Sequence, residues 1–143
     1  MRPPTPLTRH EDWPERLAAL VEARRDTAFA WGAHDCALFA ADGVAAVTGV
    51  DPAAPYRGTY ADEAGADRLV ADHGGFDLFM DAAFTRAGLV ACPVEWAHRG
   101  DVCLVDYGNQ RSMGVVLGGS VAVPGVNGLA FLPHRLVRRV WAV

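Results

Sequence analysis

Cys36 is the residue of this 143-residue chain best placed to do chemistry. It ends the run F-A-W-G-A-H-D-C at positions 29–36, in which Gly32 permits a tight turn. It also begins C-A-L-F-A-A-D-G-V-A-A-V-T-G, a stretch that is apolar nearly all round apart from Asp42 and Thr48 and that stops at Gly49. Such a helix belongs in the middle of a core. A cysteine at its first position meets free backbone N–H groups and the positive end of the helix dipole, both of which favour the thiolate. A thiolate so mounted can attack a carbonyl carbon if a neighbouring base handles the proton and N–H groups hold the oxyanion. The plainer alternative is a small core residue at a helix start, and position alone favours it.

Candidate partners for the sulfur are few. His34 lies two residues before Cys36 and shares its turn, where a histidine that hydrogen-bonds backbone is the commoner role. His98 precedes the first expected strand and faces either the site or solvent. His134, beside Pro133, reads as a surface residue, and His10 and His73 have no supporting context. Asp35 suits a helix cap better than a catalytic role. Trp31 either walls a cleft or packs. Tyr56, Arg57 and Tyr60 sit on a long loop, where binding residues concentrate, although aromatic packing of that loop is the alternative. Cys103 reads as core, and Cys92 carries no signal. The three cysteines are far apart, with no metal-ligand spacing, so neither a metal nor another cofactor is expected.

The elements that must position these residues follow from pattern. Positions 1–12, with Pro3, Pro4 and Pro6, read as an extended arm, and 13–143 as one domain. A helix starts at Asp12-Trp13-Pro14-Glu15, with Asp12 as cap, Pro14 in the first turn and Glu15 suited to a capping box. Two more helices are expected near 62–72 and 76–87, the second with Leu78, Phe79, Ala82 and Ala83 inward. The period then changes to strands at 101–106, 113–117, 121–123 and 129–132, and residues 136–143 close the sheet. The fold class is therefore α+β, with a central cysteine-bearing helix packed on a small C-terminal antiparallel sheet.

Composition sets outer bounds. A formal net charge of −4 without a dense basic face argues against nucleic acid as a partner. No apolar run reaches membrane-spanning length, so no membrane insertion is expected. The start, MRPPTPLTRHEDW, lacks a leader-type apolar segment, which predicts synthesis in a host cytoplasm without a signal peptide.

The order of motifs adds a resemblance. Asp35-Cys36 opening a helix, Gly100-Asp101-Val102 beginning a sheet, and Gly114-Val115-Val116-Leu117-Gly118 on a later strand resemble the NlpC-type, papain-like cell-wall cysteine peptidases. In that family a histidine precedes the last of these motifs. Here the aligned position is Ser112, or Met113 if the strand slips by one, and neither is a general base. The family's third polar residue falls on a strand that reads Val121-Ala122-Val123. More closely, W-G-x-H-D-C, the loop with Tyr56, Arg57, Gly58 and Tyr60, and V-P-G-x-x-G-L resemble a phage and prophage family encoded among tail-assembly genes. This resemblance implies a tail-tip or tail-assembly component in the virion, with other tail or baseplate proteins as partners. In that case Trp31, Asp35, Tyr56, Arg57, Tyr60 and Ser112 are its binding residues. The rival implication is an active peptidoglycan endopeptidase or amidase that aids DNA entry, with Cys36 as nucleophile and His34 or His98 as base. A third reading is a small stand-alone binding protein with no ancestral chemistry.

Overall fold

The helix that Cys36 opens has a clear signal at each end. Asp35 has the extended backbone of a capping residue (φ −94°, ψ 175°), and its carboxylate accepts a hydrogen bond from the Leu38 N–H at 2.9 Å. Gly49, at φ 82°, ends the helix in the left-handed conformation. Between them Leu38, Phe39, Ala40, Ala41, Gly43, Val44 and Val47 are buried. Gly43 lets the helix lie close on the sheet, since a β-carbon there would come within 2.8 Å of a Val115 methyl.

The computed structural model describes residues 2–143; Met1, the first residue of the expected arm, lies outside them. The helices are α1 (Trp13–Arg24), α2 (Cys36–Thr48), α3 (Glu63–Asp72) and α4 (Phe76–Ala87). The strands are β1 (Val90–Cys92), β2 (Val102–Tyr107), β3 (Gln110–Val116), β4 (Ser120–Gly125), β5 (Gly128–Pro133) and β6 (Val137–Ala142). All strand pairs are antiparallel, in the order β1-β6-β2-β3-β4-β5. The chain is thus an α+β fold with the sheet following the helices. Two-residue turns join β2 to β3 at Gly108-Asn109 and β4 to β5 at Val126-Asn127. β6 returns to pair with β2 and carries β1 on its outer side.

Two sequence expectations change. Asp12 precedes α1 but makes no side-chain cap; its backbone (φ −99°, ψ 28°) is not extended, and its carboxylate instead takes the Arg16 guanidinium at 2.7 Å. In α4 the inward residues are Phe79, Met80, Ala83 and Phe84, whereas Leu78 is 64% exposed and Ala82 is also on the outside. The cause is the contact with β6. Asp81 accepts hydrogen bonds from the Trp141 indole at 3.0 Å and from Arg139 at 3.2 Å, and Phe84 packs on the Trp141 ring. That contact rotates the helix so that Leu78 faces out.

The main core lies between the helices and one face of the sheet, where Val102, Leu104, Met113, Val115 and Trp141 meet Phe39, Val44 and Phe79. Cys103, Val105, Val116, Val121 and Val140 form a second apolar cluster on the other face. Both faces of β2 are therefore apolar, which explains its unbroken V-C-L-V run.

One carboxylate ties the ends of this arrangement. Asp101 is fully buried and accepts from both terminal nitrogens of Arg2 at 2.6 Å, from Arg9 at 3.1 Å, and from the His98 and Val143 backbone N–H groups at 2.8 and 3.0 Å. The arm is thereby held against the domain, and Leu7 packs on the main core. Replacing Asp101 with Ala leaves two guanidinium groups facing each other without a counter-charge. We expect this to cost about 3 kcal/mol or more in a urea titration, because breaking a buried charge cluster strands the remaining charges. A loss below about 1 kcal/mol would show that the cluster does not hold the fold.

Candidate functional site

Cys36 is the first residue of α2 and is partly exposed. Its sulfur lies against β3, close to the Met113 backbone and the Ser112 side chain. The Ser112 hydroxyl itself donates to the Met113 carbonyl at 3.0 Å. Burial pushes the Cys36 thiol above its ordinary range; the Met113 and Ala37 backbone and the nearby Ser112 side chain pull the other way without offsetting it. The helix start alone predicts a thiolate, but in this setting the sulfur keeps its proton at neutral pH.

The turn before Cys36 is organised by Asp35. Besides capping α2, its buried carboxylate accepts from the Gly32 N–H at 3.0 Å and from the Tyr60 hydroxyl at 2.5 Å. Gly32 has φ 76°, and a β-carbon there would meet the Tyr60 carbonyl at 2.4 Å, so no other residue fits between turn and loop. Burial, followed by the bond to Asp35, drives the Tyr60 phenol far above its usual range and keeps it a donor.

In front of Cys36 is a cavity of about 290 Å³. Its walls come from the turn before α2, the start of α2, the loop after it, α3 and α4, with one residue, Arg111, from β3. Trp31, Tyr56, Tyr60, Phe76 and Phe79 give it an aromatic lining, and its charged groups are Asp35, Asp67 and Arg111. Arg111 pairs with Asp77 at 2.5 Å. Tyr56 turns its hydroxyl to Arg86 and its ring edge to Phe79.

Among the described residues, no histidine lines the cavity. His34 is 3% exposed, and its Nδ1 faces Arg24 at 2.9 Å. Since a guanidinium only donates, Nδ1 is the acceptor and the proton sits on Nε2, which has no hydrogen-bond partner. Burial, then the Arg24 charge, lowers the pKa of His34 against the opposite pull of Asp42 and Asp35, so the ring is neutral. Its one lone pair is already engaged by Arg24. His98 is exposed on the turn before β2, and its backbone N–H serves Asp101. His73 stacks on Phe79 from outside the cavity lining at 4.3 Å between centroids, and the backbone N–H of His10 donates to the Val47 carbonyl.

Among the residues singled out from sequence, the structure gathers Cys36, Trp31, Asp35, Tyr56 and Tyr60 around one cavity. Ser112 lies behind the sulfur and does not line the cavity. Arg57 is spent on Asp42 and Asp51, at 2.7 Å to each, and braces the loop. Sequence reasoning missed Arg111, Phe76 and Phe79. The only available signals were the apolar stripe of α4 and the place of Arg111 two residues before Met113.

Two expected outcomes test this geometry. Iodoacetamide should label Cys36 slowly at neutral pH in the folded protein, with a rate that keeps rising above the pH at which an ordinary thiol is fully ionised. Labelling as fast as that of the urea-unfolded chain at pH 7 would contradict a raised thiol pKa. Tyr60→Phe deletes a hydrogen bond to a carboxylate, so it should cost about 1.5 kcal/mol in urea unfolding and loosen the loop; an unchanged midpoint would show that the bond contributes nothing.

No group of three or more His, Cys, Asp or Glu among the described residues is placed to hold a metal ion. No described helix is long and apolar enough to cross a membrane. Comparison with curated proteins and with solved structures gives no match. A family profile does match, over residues 8–143, and so takes in the arm from Thr8, all four helices and the whole sheet. The chain therefore belongs to the DUF6950 family, described as a domain of unknown function.

Proposed function

We propose that this protein is a non-hydrolytic component of a phage or prophage tail, built on a papain-like NlpC-type fold. In this reading the cavity at Cys36 binds and does not cleave. The observation that carries the reading is the cavity itself: among the described residues no histidine lines it, and burial raises the pKa of its thiol. Amide hydrolysis by a cysteine needs the thiolate, an imidazole to give the leaving amine its proton, and an oxyanion site, all acting together. The helix start supplies N–H groups for the last of these. Ser112 and Met113, the residues beside the sulfur on β3, supply no base. His34, the nearest histidine in sequence, has its acceptor nitrogen engaged by Arg24. Loss of one member of such a unit typically lowers the rate by about 10⁴-fold or more.

The tail assignment rests on the resemblance of the W-G-x-H-D-C turn and the tyrosine loop to tail-associated proteins. The motif order from Asp35-Cys36 to Gly114-Val115 supports descent from a peptidase. In the resulting picture Trp31, Tyr56 and Tyr60 meet the bound partner, while Asp35 and Ser112 keep the wall in shape.

The test uses wild type and Cys36→Ala on purified peptidoglycan, with released muropeptides followed by chromatography. No release by either protein is expected, together with normal tail assembly when Cys36→Ala replaces the wild type. Release by wild type that disappears in Cys36→Ala would replace this reading with the active endopeptidase or amidase. Alanine substitutions at His34 and His98 would then identify its base.

A further inference from the structure

We infer that the cavity beside Cys36 is a binding site for a free carboxylate bearing an unbranched alkyl chain, with the chain along α4 and the carboxylate at Arg111. This deepens the reading of the cavity as a place that binds, and it names the ligand.

The first argument is what the walls withhold. Asp35 already accepts three hydrogen bonds, from Gly32, Leu38 and Tyr60. The Tyr60 hydroxyl donates to Asp35, and the Tyr56 oxygen accepts from Arg86, which leaves the Tyr56 O–H as the hydroxyl proton still free for a ligand. The Cys36 thiol is neutral and lies against Ser112 and Met113. A sugar ring or a peptide backbone entering such a space would surrender its hydrogen bonds to water and find few in return, which costs several kcal/mol per group. A hydrocarbon loses nothing and buries apolar area against Phe76, Phe79 and Val70.

The second argument is shape. The α4 residues on the lining run from Phe76 to Phe84, about 12 Å of helix at 1.5 Å per residue. At about 290 Å³ the space is at the small end for ligand cavities, so it suits one chain and not a two-chain lipid.

The third argument is charge at the rim. Arg111 projects from β3 with its side chain 54% exposed, and its recorded partner, Asp77, is 42% exposed. Such an exposed pair is worth little, and a guanidinium has five N–H donors, so a ligand carboxylate can join or displace Asp77. Asp67 on α3 also lines the cavity, and its repulsion disfavours an anionic head on the α3 side, while Arg111 offsets that of Asp77 on the β3 side.

The test is isothermal titration of the full-length protein with hexanoate, decanoate, decanol and phosphatidylglycerol vesicles. Decanoate should bind one-to-one and at least about tenfold more tightly than hexanoate, because each added methylene is buried. Arg111→Gln should weaken decanoate about threefold and leave decanol unchanged, as expected for loss of one exposed ion pair. Val70→Trp, which fills the cavity from a half-buried position on α3, should abolish binding of both; if that variant is unfolded by circular dichroism, the Arg111→Gln comparison decides. The inference is overturned if decanoate gives no saturable heat, if hexanoate binds as well, if Arg111→Gln weakens decanol equally, or if vesicles bind while free decanoate does not. Calorimetry is independent of the muropeptide assay, so an active hydrolase that also binds decanoate would remove the non-hydrolytic reading and leave this one standing.

Discussion

The buried carboxylate of Asp101 is the constraint on which the rest of this fold hangs. An anion taken wholly out of water is tolerated only if its charge and its lone pairs are both met. Here Arg2 and Arg9 meet the charge, and backbone N–H groups of His98 and Val143 take further lone pairs. Satisfying one residue thus fixes the arm, the entry to β2 and the chain after β6 at a single point. The Asp101 backbone extends the effect, since its carbonyl accepts from the Val116 N–H at 2.9 Å, and the neighbouring Gly100 N–H donates to the Val116 carbonyl at 2.8 Å. β3 is then in register with β2, and that register sets Ser112 and Met113 against the sulfur of Cys36. The arginines respond in opposite senses. The Asp101 bond raises the pKa of Arg2, while burial pulls down that of the more enclosed Arg9.

The state of Cys36 is a contest between two effects of different size. A helix N-terminus favours an anion by roughly 0.3–1 kcal/mol. Desolvation can move a buried group by several pK units, each worth about 1.4 kcal/mol. With the sulfur pressed between α2 and β3, desolvation wins, and a position that suits a nucleophile holds a neutral thiol. A nearby imidazolium would reverse the balance by charge. The residues at the β3 position are Ser112 and Met113, so nothing there does.

Much of this was legible in the sequence where a local signal existed. Asp35 before an apolar run and Gly49 after it bounded α2, and Gly108-Asn109 marked the β2–β3 turn. Where a long-range contact decided the outcome, local pattern failed. Leu78 and Phe79 are equally apolar, and tertiary contacts choose which faces inward, with Phe84 on the Trp141 ring and Asp81 bonded to β6. β1 has three residues and exists because β6 offers it an edge, so Val90-Ala91-Cys92 gave no warning. The candidate site divides the same way. Trp31, Asp35 and Cys36 are neighbours in sequence, and the tyrosine loop announced itself by composition. Arg111 and Phe79 reach the cavity through tertiary packing alone, and His34 left the list of partners only once Arg24 was seen to hold it.

The cavity walls are unequal in a way that bears on access. α2 is locked into the core along most of its length, and α4 is fastened to β6 through Asp81 and Trp141. α3 has one buried residue, Ala66, and otherwise rests on the half-buried Leu69 and Val70. Segments with few buried contacts open at lower free energy than the rest of a fold. α3 is therefore the wall that moves most cheaply. Its first turn is not independent of the site, however. Asp62 caps it through the Gly65 N–H at 2.7 Å, and a β-carbon at Gly65 would lie 3.1 Å from the β-carbon of Tyr60. Tyr60 in turn is anchored on Asp35, the residue that caps α2 one position before Cys36. Asp62 is only two residues after Tyr60, so outward movement of the first turn of α3 strains the Tyr60–Asp35 bond through the chain. Entry beside Cys36 is thus coupled to the same carboxylate that starts the helix on which Cys36 stands.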